Sequence, residues 1–205
     1  MIKKTEISCT YNKKYKHLML SQDNSRGLVV IYPGFNNSCN RPVLHYIRKA
    51  ALEKRYDVLC INYAIKLSFN NLDTDIKEFL VPEALKLLNI VNNDKFYEII
   101  YFIGKSLGTI ISGKVRDEYK GYSNFYHIYL TPLKDSLPYI NKYNGLLITG
   151  SKDKYFNKEL LDQIINSNIK VEIIEDVNHA LELNDNVLGT IDIHKHITDL
   201  CNNYL

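Results

Sequence analysis

The feature that most constrains the fold is an alternation of short apolar runs with longer segments of helical periodicity. Runs rich in Val, Ile, Tyr and Phe predict strands at residues 28–32, 56–62, 98–103, 125–130, 146–149 and 169–174. Apolar residues spaced three and four apart predict helices at 41–55, 72–91, 107–119, 157–166 and 187–204, with Pro82 either starting a new helix or kinking the second. This alternation is typical of βαβ units around a parallel sheet, so the sequence predicts an α/β fold.

Length and charge limit the number of domains and the class of partner. The 205 residues contain no internal repeat, low-complexity segment or linker, which predicts a single domain spanning residues 1–205. The 26 Lys+Arg and 23 Asp+Glu give a net charge of only +3, and the lysines are dispersed. We therefore expect neither a nucleic acid nor a membrane as partner. A hydrophobic content of 45% excludes disorder.

The lengths of the apolar runs, the N-terminal residues and the spacing of the cysteines predict where the protein is located and whether its thiols are reduced. No apolar run approaches the roughly 20 residues that cross a bilayer, and no export signal is visible at the N-terminus, which predicts a cytoplasmic protein. The four cysteines form no C-x-x-C pair, which indicates reduced structural thiols rather than a zinc site or a disulfide framework. The oligomeric state is left open by the sequence.

The most specific motif is the G-x-S-x-G pentapeptide at residues 104–108, Gly-Lys-Ser-Leu-Gly, which lies between a predicted strand and a predicted helix. In this context it indicates a nucleophile elbow, with Ser106 on a sharp turn at the helix N-terminus. Gly104 and Gly108 are needed because a Cβ at either position would meet neighbouring backbone. Helix N-terminal N–H groups favour the negative charge that develops during acyl transfer.

Two nucleotide-binding motifs share some of these letters. A phosphate-binding P-loop requires a further glycine five positions before Gly104, but that position is Ile99, inside a predicted strand. Gly34 has no partners in the G-x-G-x-x-G spacing of a dinucleotide site. The sequence therefore favours neither a P-loop nor a dinucleotide-binding site.

A serine nucleophile needs a histidine base and a carboxylate that orients it, in the chain order Ser, Asp or Glu, His. Asp153 follows the strand at 146–149, and His179 follows the strand at 169–174. Both would lie at the carboxyl edge of the sheet, where α/β sites are built. Glu175 and Asp176 remain alternative carboxylates.

The other five histidines do not meet the order that this chemistry requires. They precede the nucleophile, lie within a strand or lie within the last helix. His194 and His196 are two residues apart and face different sides of that helix, which makes a poor metal pair.

The expected oxyanion hole consists of two backbone N–H groups. One belongs to Leu107, the residue after the nucleophile, and the other to Phe35 in the Pro33-Gly34 loop. Gly34 is expected to let the loop turn its amides inward. Asn36 is a candidate substrate contact, and Lys105 is a candidate contact for an anionic substrate.

Together these residues resemble the α/β-hydrolase superfamily, in its small, lidless, dienelactone-hydrolase-like and carboxylesterase-like form. The resemblance spans nearly the whole chain and includes the segments 104–108, 130–133, 150–153 and 178–182. It departs from the usual pattern at Pro33, where His is common, and at Thr109, where a small residue is common. It implies an α/β-hydrolase fold with helices on both faces of the sheet, Ser106 as nucleophile, His179 as base and Asp153 as its orienting carboxylate.

The implied function is a serine hydrolase that cleaves a small acyl ester or thioester, with no metal and no cofactor. Residues 131–145 leave no room for a cap domain, so the site should be open. It would be shaped by Asn36, Asn37, Ile65, Lys66, Lys105 and the segment 132–139. A peptidase with the same triad and a non-catalytic binding protein of the same fold are the alternatives.

Overall fold

The computed structural model describes residues 1–63, 66–121 and 123–205, and only the backbone of Phe69. Among these residues, eight strands form one sheet in the order β1-β2-β4-β3-β5-β6-β7-β8. The strands are β1 (Ile2–Ser8), β2 (Lys16–Gln22), β3 (Leu28–Tyr32), β4 (Asp57–Cys60), β5 (Ile99–Lys105), β6 (Asn124–Leu130), β7 (Gly145–Gly150) and β8 (Ile169–Ile174). From β4 to β8 along the sheet all pairs are parallel, while β1 and β2 are antiparallel to their neighbours. The predicted α/β class is confirmed.

Helices cover both faces of the sheet. They are α1 (Pro42–Glu53), α2 (Leu72–Asp75), α3 (Val81–Asp94), α4 (Leu107–Glu118), α5 (Leu137–Ile140), α6 (Lys158–Leu161) and α7 (Val187–Tyr204), with a π-helical turn at Ile76–Leu80 and 3-10 turns at Phe69–Asn71 and Lys134–Ser136. Because strand side chains alternate, Val30 packs towards α3 and α4 whereas Val29 and Ile31 pack towards α1 and α7. The fully buried β3 therefore divides the core into two layers.

The two N-terminal strands are the main elements that sequence analysis missed. β1 is exposed along almost its whole length, so its residues carry no buried apolar face that a pattern could reveal. β2 has a weak alternation, with His17 and Met19 buried and their neighbours partly exposed. β2 pairs with the edge of β4 and β1 pairs with β2, so both strands depend on contacts that only the tertiary structure provides.

Two predicted helices differ from the observed ones. The segment expected to form a helix at 72–91 is helical throughout, but it consists of α2, a π-helical turn at Ile76–Leu80 and α3, which ends at Asp94. Pro82 lacks a backbone N–H and its ring would clash with the carbonyl of the residue four positions earlier, which accounts for this local change. The helix expected at 157–166 ends at Leu161. Beyond it, the Asn166 side chain donates to the carbonyls of Ile140 and Tyr143, which holds this segment in a loop.

Three further observations concern membrane-spanning helices, the cysteines and a cap domain. Within the described ranges, no helix is both long and apolar enough to span a membrane. All four cysteines are buried and free. The stretch between β6 and β7 contains only a 3-10 turn and α5, so this connection holds no cap domain.

Candidate active site

Ser106 lies on a strained turn between β5 and α4. Its backbone has φ 52° and ψ −118°, a conformation that non-glycine residues rarely adopt. A Cβ on Gly104 would lie 2.6 Å from the carbonyl oxygen of Gly108, and a Cβ on Gly108 would lie 2.1 Å from that of Tyr32. The steric reason predicted for both glycines is therefore confirmed. Ser106 N–H also donates to Leu130 O at 3.0 Å, which ties the turn to β6.

The structure brings Ser106, His179 and Asp153 together from three different loops. His179 Nε2 lies 2.9 Å from Ser106 Oγ, and its Nδ1 lies 2.9 Å from both carboxylate oxygens of Asp153. With Nδ1–H donating to the carboxylate, Nε2 is free of a proton and can accept one from the serine hydroxyl. This is the arrangement that activates a serine for nucleophilic attack.

Asp153 is only 3% exposed and is held by several donors besides the histidine. Tyr155 N–H donates to Oδ1 at 2.8 Å, and Thr149 Oγ1 donates to Oδ2 at 3.2 Å. Burial by itself would raise the pKa of the Asp153 carboxyl, but these hydrogen bonds, led by that from His179, hold the pKa below its usual range. Asp153 therefore carries the negative charge that orients His179.

The alternative carboxylates are engaged elsewhere. Glu175 accepts a hydrogen bond from Ser151 Oγ at 2.9 Å, and Asp176 pairs with Lys152 at 3.6 Å on the surface. The structure therefore places Asp153, and neither of its neighbours in this loop cluster, against the histidine.

The expected oxyanion donors, Phe35 and Leu107, both line the cavity in front of Ser106. Leu107 is the first residue of α4, so its N–H belongs to the group that a helix leaves without an intrahelical partner. Gly34 has no positive φ, and a Cβ there would lie 3.4 Å from Ser106 Cβ, an ordinary van der Waals separation. Neither backbone conformation nor lack of space therefore requires glycine at this position, although the loop passes close to Ser106.

Two asparagines lie in this loop. Asn37 lines the cavity, whereas the side chain of Asn36 is hydrogen-bonded to backbone elsewhere in the protein. Asn36 has φ 49°, and its amide group donates to Leu67 O at 3.2 Å and accepts from Leu67 N–H at 3.0 Å. Each end of the amide has a partner in the backbone of residue 67, and Asn36 is not among the residues that line the cavity in front of Ser106, so the predicted substrate contact at Asn36 stays a prediction. Ile65, which was expected to shape the site, lies outside the described residues, and Lys66 is exposed.

Lys105 connects the Ser106 turn to the His179 loop and to the loop after β6. Its ammonium group donates to His179 O at 2.9 Å and to Thr131 Oγ1 at 3.1 Å. Burial lowers the pKa of Lys105 to about 8. Thr131 has φ 41°, a strained value for a β-branched residue, so this contact also stabilises an unfavourable backbone.

A cavity of about 560 Å³ opens in front of Ser106 and His179. Its walls are mostly apolar, formed by Phe35, Leu72, Leu107, Leu133, Tyr155 and Ala180. The ring of Tyr155 lies 4.6 Å from that of His179, centroid to centroid. Sequence analysis missed Tyr155 and Leu72. The position of Tyr155 two residues after Asp153 was the available signal, whereas Leu72 comes from a connection whose path only the structure shows.

One group of possible metal ligands comes together in the described part of the chain, remote in sequence from Ser106, Asp153 and His179. His17 Nε2 lies 3.0 Å from Cys9 Sγ and 3.1 Å from Glu83 Oε1, and all three residues are buried. Asn62 N–H donates to His17 Nδ1 at 3.1 Å, which leaves the ring proton on Nε2. A protonated Nε2 donates to Glu83 and cannot bind a cation, so hydrogen bonding accounts for this cluster.

Comparison with known proteins adds the class of fold. An esterase from Pyrococcus furiosus is superimposed with a TM-score of 0.71 at 17% identity, covering 100% of this chain and 92% of that chain. A dienelactone hydrolase from Anabaena variabilis gives 0.69 at 16% identity, covering 100% and 96%. An alpha-beta serine hydrolase homologue from Coxiella burnetii gives 0.69 at 14% identity, covering 99% and 97%. The chain therefore has the fold of the α/β-hydrolase superfamily.

The resemblance inferred from the sequence motifs is thus confirmed at the level of fold. No family model matches the sequence, and no curated protein matches it either. At these identities the similarity concerns the fold alone, and activity has to be argued from the residues of this chain.

Proposed function

We propose that the protein is a serine hydrolase that cleaves an ester or thioester through an acyl-enzyme intermediate. The observation that carries the proposal is the hydrogen-bonded chain from Ser106 Oγ through His179 to the buried Asp153, with 2.9 Å at each step. A binding protein has no need of a base and its orienting carboxylate behind one serine hydroxyl. The strained backbone of Ser106 supports the same proposal, because strain of this kind is retained at functional sites.

The first half-reaction forms the acyl-enzyme. Ser106 Oγ attacks the substrate carbonyl while its proton passes to His179 Nε2, and the C–O π electrons move onto the carbonyl oxygen. The N–H groups of Phe35 and Leu107 would stabilise this oxyanion, and loss of one such donor typically costs about 2.7–4 kcal/mol of barrier. The tetrahedral species then expels the alcohol or thiol, which takes the proton from His179.

The second half-reaction releases the acid. His179 removes a proton from a water molecule, the resulting hydroxide attacks the acyl carbonyl, and the bond to Ser106 Oγ breaks as the serine regains its proton. Asp153 remains ionised throughout and stabilises the histidine while it carries the extra proton. The mostly apolar cavity beside Ser106 suits the hydrocarbon part of a small ester or thioester.

The test is intact mass spectrometry after treatment with a fluorophosphonate, which labels activated serines. We expect one adduct on the wild-type protein and none on Ser106→Ala or His179→Ala. Ser112→Ala is a matched control, because Ser112 lies on the same helix and donates to Thr109 O at 3.1 Å. It should be labelled like the wild type.

Absence of an adduct on folded wild-type protein would contradict the proposal and favour the binding-protein alternative. Where labelling occurs, turnover of p-nitrophenyl esters, acyl thioesters and peptide amides separates an esterase from a thioesterase and from a peptidase.

A further inference from the structure

A second, smaller cavity adjoins the candidate active site on the side of α1. It has a volume of about 190 Å³ and shares Gly34, Asn37, Lys105 and Ala180 with the cavity in front of Ser106. Its remaining lining comes from the first turn of α1, from Glu182 and from His194 of α7. A group attached to a substrate at Ser106 can therefore reach it.

The first turn of α1 offers backbone donors to this cavity. The turn begins at Arg41 and Pro42, it has no side-chain cap, and it contains no acidic residue. Buried Val43 and Leu44, whose N–H groups lie in that first turn, line the cavity. Uncapped N–H groups and the helix dipole together favour an anion at this position.

A buried polar atom without a partner in the same cavity is a second, independent observation that favours a ligand site here. His194 is only 6% exposed, and its Nε2 has no hydrogen-bond partner among the described residues. A buried nitrogen left without a partner costs free energy that a ligand can recover. Burial lowers the pKa of His194, so the ring is neutral, and its tautomer with the proton on Nε2 can donate a hydrogen bond to an anion placed there.

The charged side chains around the cavity favour an anion over a cation. The Lys105 ammonium group uses two of its three N–H bonds for His179 O and Thr131 Oγ1, which leaves the third for a ligand. Arg41 lies at the exposed mouth and donates through Nε to Asn37 Oδ1 at 2.5 Å. Glu182, also exposed, is the one carboxylate in the lining. Two cations and a helix N-terminus therefore outweigh one anion.

We propose that the substrate carries a carboxylate or phosphate group, and that this group binds between the N-terminus of α1 and His194 while the scissile carbonyl lies at Ser106. This inference rests on the proposed hydrolase function and narrows its substrate class to anionic esters or thioesters. The apolar part of the substrate would occupy the larger cavity. The anionic group fixes the orientation of the substrate relative to the nucleophile.

The kinetic test compares esters that differ only in charge. The first pair is p-nitrophenyl valerate and mono-p-nitrophenyl glutarate, with the anion on the acyl group. The second pair is phenyl butyrate and carboxyphenyl butyrate, with the anion on the alcohol. For at least one pair we expect kcat/KM to be higher for the anionic ester.

Charge variants at the mouth should change that preference in opposite directions. Arg41→Gln should lower the anionic-to-neutral ratio of kcat/KM about three- to tenfold, and Glu182→Gln should raise it about two- to fivefold. Lys49→Gln is the matched control, since it removes an exposed positive charge from α1 away from this cavity. It should leave the ratio unchanged. If Arg41 had only a structural role, Arg41→Gln would lower kcat/KM for the anionic and the neutral ester alike and leave their ratio unchanged.

Direct binding tests the cavity without turnover. Isothermal titration of Ser106→Ala with glutarate and with inorganic phosphate should show binding of at least one anion, weakened by the added Arg41→Gln substitution. The stronger of the two assigns the headgroup as carboxylate or phosphate. Equal rates within both ester pairs, together with no binding of either anion, would overturn the inference while the proposed function stands on fluorophosphonate labelling of Ser106.

Discussion

We expect Gly108→Ala to destabilise the protein, because an added methyl group has no room between α4 and the end of β3. The new Cβ would lie 2.1 Å from Tyr32 O, 2.7 Å from Tyr32 C and 2.8 Å from Pro33 O. All three are backbone atoms, so no side chain can rotate away. β3 cannot retreat either, since it is hydrogen-bonded to β4 on one side and to β5 on the other.

Two opposing effects set the size of this change. Alanine favours a helix over glycine by about 1 kcal/mol, which would stabilise the variant. Overpacking in a rigid core costs about 1–3 kcal/mol, and contact with backbone alone places this site at the upper end, about 3 kcal/mol. The net loss in free energy of unfolding is therefore about 2 kcal/mol. A shift of α4 by about 1 Å would also misplace Ser106, which we expect to lower ester hydrolysis about a hundredfold.

The assay is urea unfolding followed by circular dichroism, combined with hydrolysis of a p-nitrophenyl ester. Gly34→Ala is the control for stability, because its Cβ would meet no atom closer than 3.4 Å and its backbone φ is not positive. Its stability should change by no more than about 0.5 kcal/mol. A Gly108→Ala protein as stable and as active as the wild type would refute the steric reasoning.

Three further predictions concern charged groups. Asp153→Asn should lower kcat by about 10⁴, as the equivalent exchange does in serine proteases, because an amide favours the wrong tautomer of His179. Asp57→Ala should reduce the free energy of unfolding by about 1–3 kcal/mol, because it leaves the buried Tyr97 hydroxyl without its partner, while the partly exposed Lys95 ammonium group stays solvated. Lys105→Met should remove a rise in stability with pH. The pKa of Lys105 is about 8 in the folded protein, against its usual value of 10.5, so between these values the unfolded chain binds more protons and stability increases.

Each of these has its own measurement. For Asp153→Asn, steady-state kinetics should show lower kcat in a protein with unchanged circular dichroism, and a wild-type rate would remove Asp153 from the triad. Asp57→Ala is compared with Asp23→Ala, whose carboxylate is exposed, and equal unfolding midpoints would contradict the buried network. Urea unfolding of wild type and Lys105→Met across pH 8 to 10.5 gives the difference curve, and parallel curves would count against a buried charge at Lys105.

β3, β5 and β7 were predictable because they are buried along nearly their whole length and so appear as continuous apolar runs, whereas β8 is an edge strand with exposed residues. The turn at Ser106 was predictable for a different reason. The two glycines of this turn are required by crowding against nearby backbone atoms, and the G-x-S-x-G spacing makes this requirement visible in the sequence. Asp153 and His179 followed from chain order and from the rule that parallel strands end at one edge of the sheet.

What could not be predicted depends on contacts between segments distant in sequence. β1 is exposed along nearly its whole length and exists only through β2 and β4. Asn36 was predicted to contact the substrate, but its amide group is hydrogen-bonded to the backbone of residue 67, whose position only the structure shows. The cavity beside α1 is lined by residues near positions 41, 105, 182 and 194, which come from separate loops and helices, so no local sequence pattern predicts it.

Local residue patterns were thus sufficient for the α/β class, for the strained serine turn and for the identity of its partners, because these depend on backbone sterics and on strand order. The tertiary structure alone decided the hydrogen-bond distances between Ser106, His179 and Asp153, the role of Lys105 in joining the serine turn to two other loops, and the charge of the neighbouring cavity. Those properties arise from how the loops at the carboxyl edge pack against one another, and packing is a property of the whole fold.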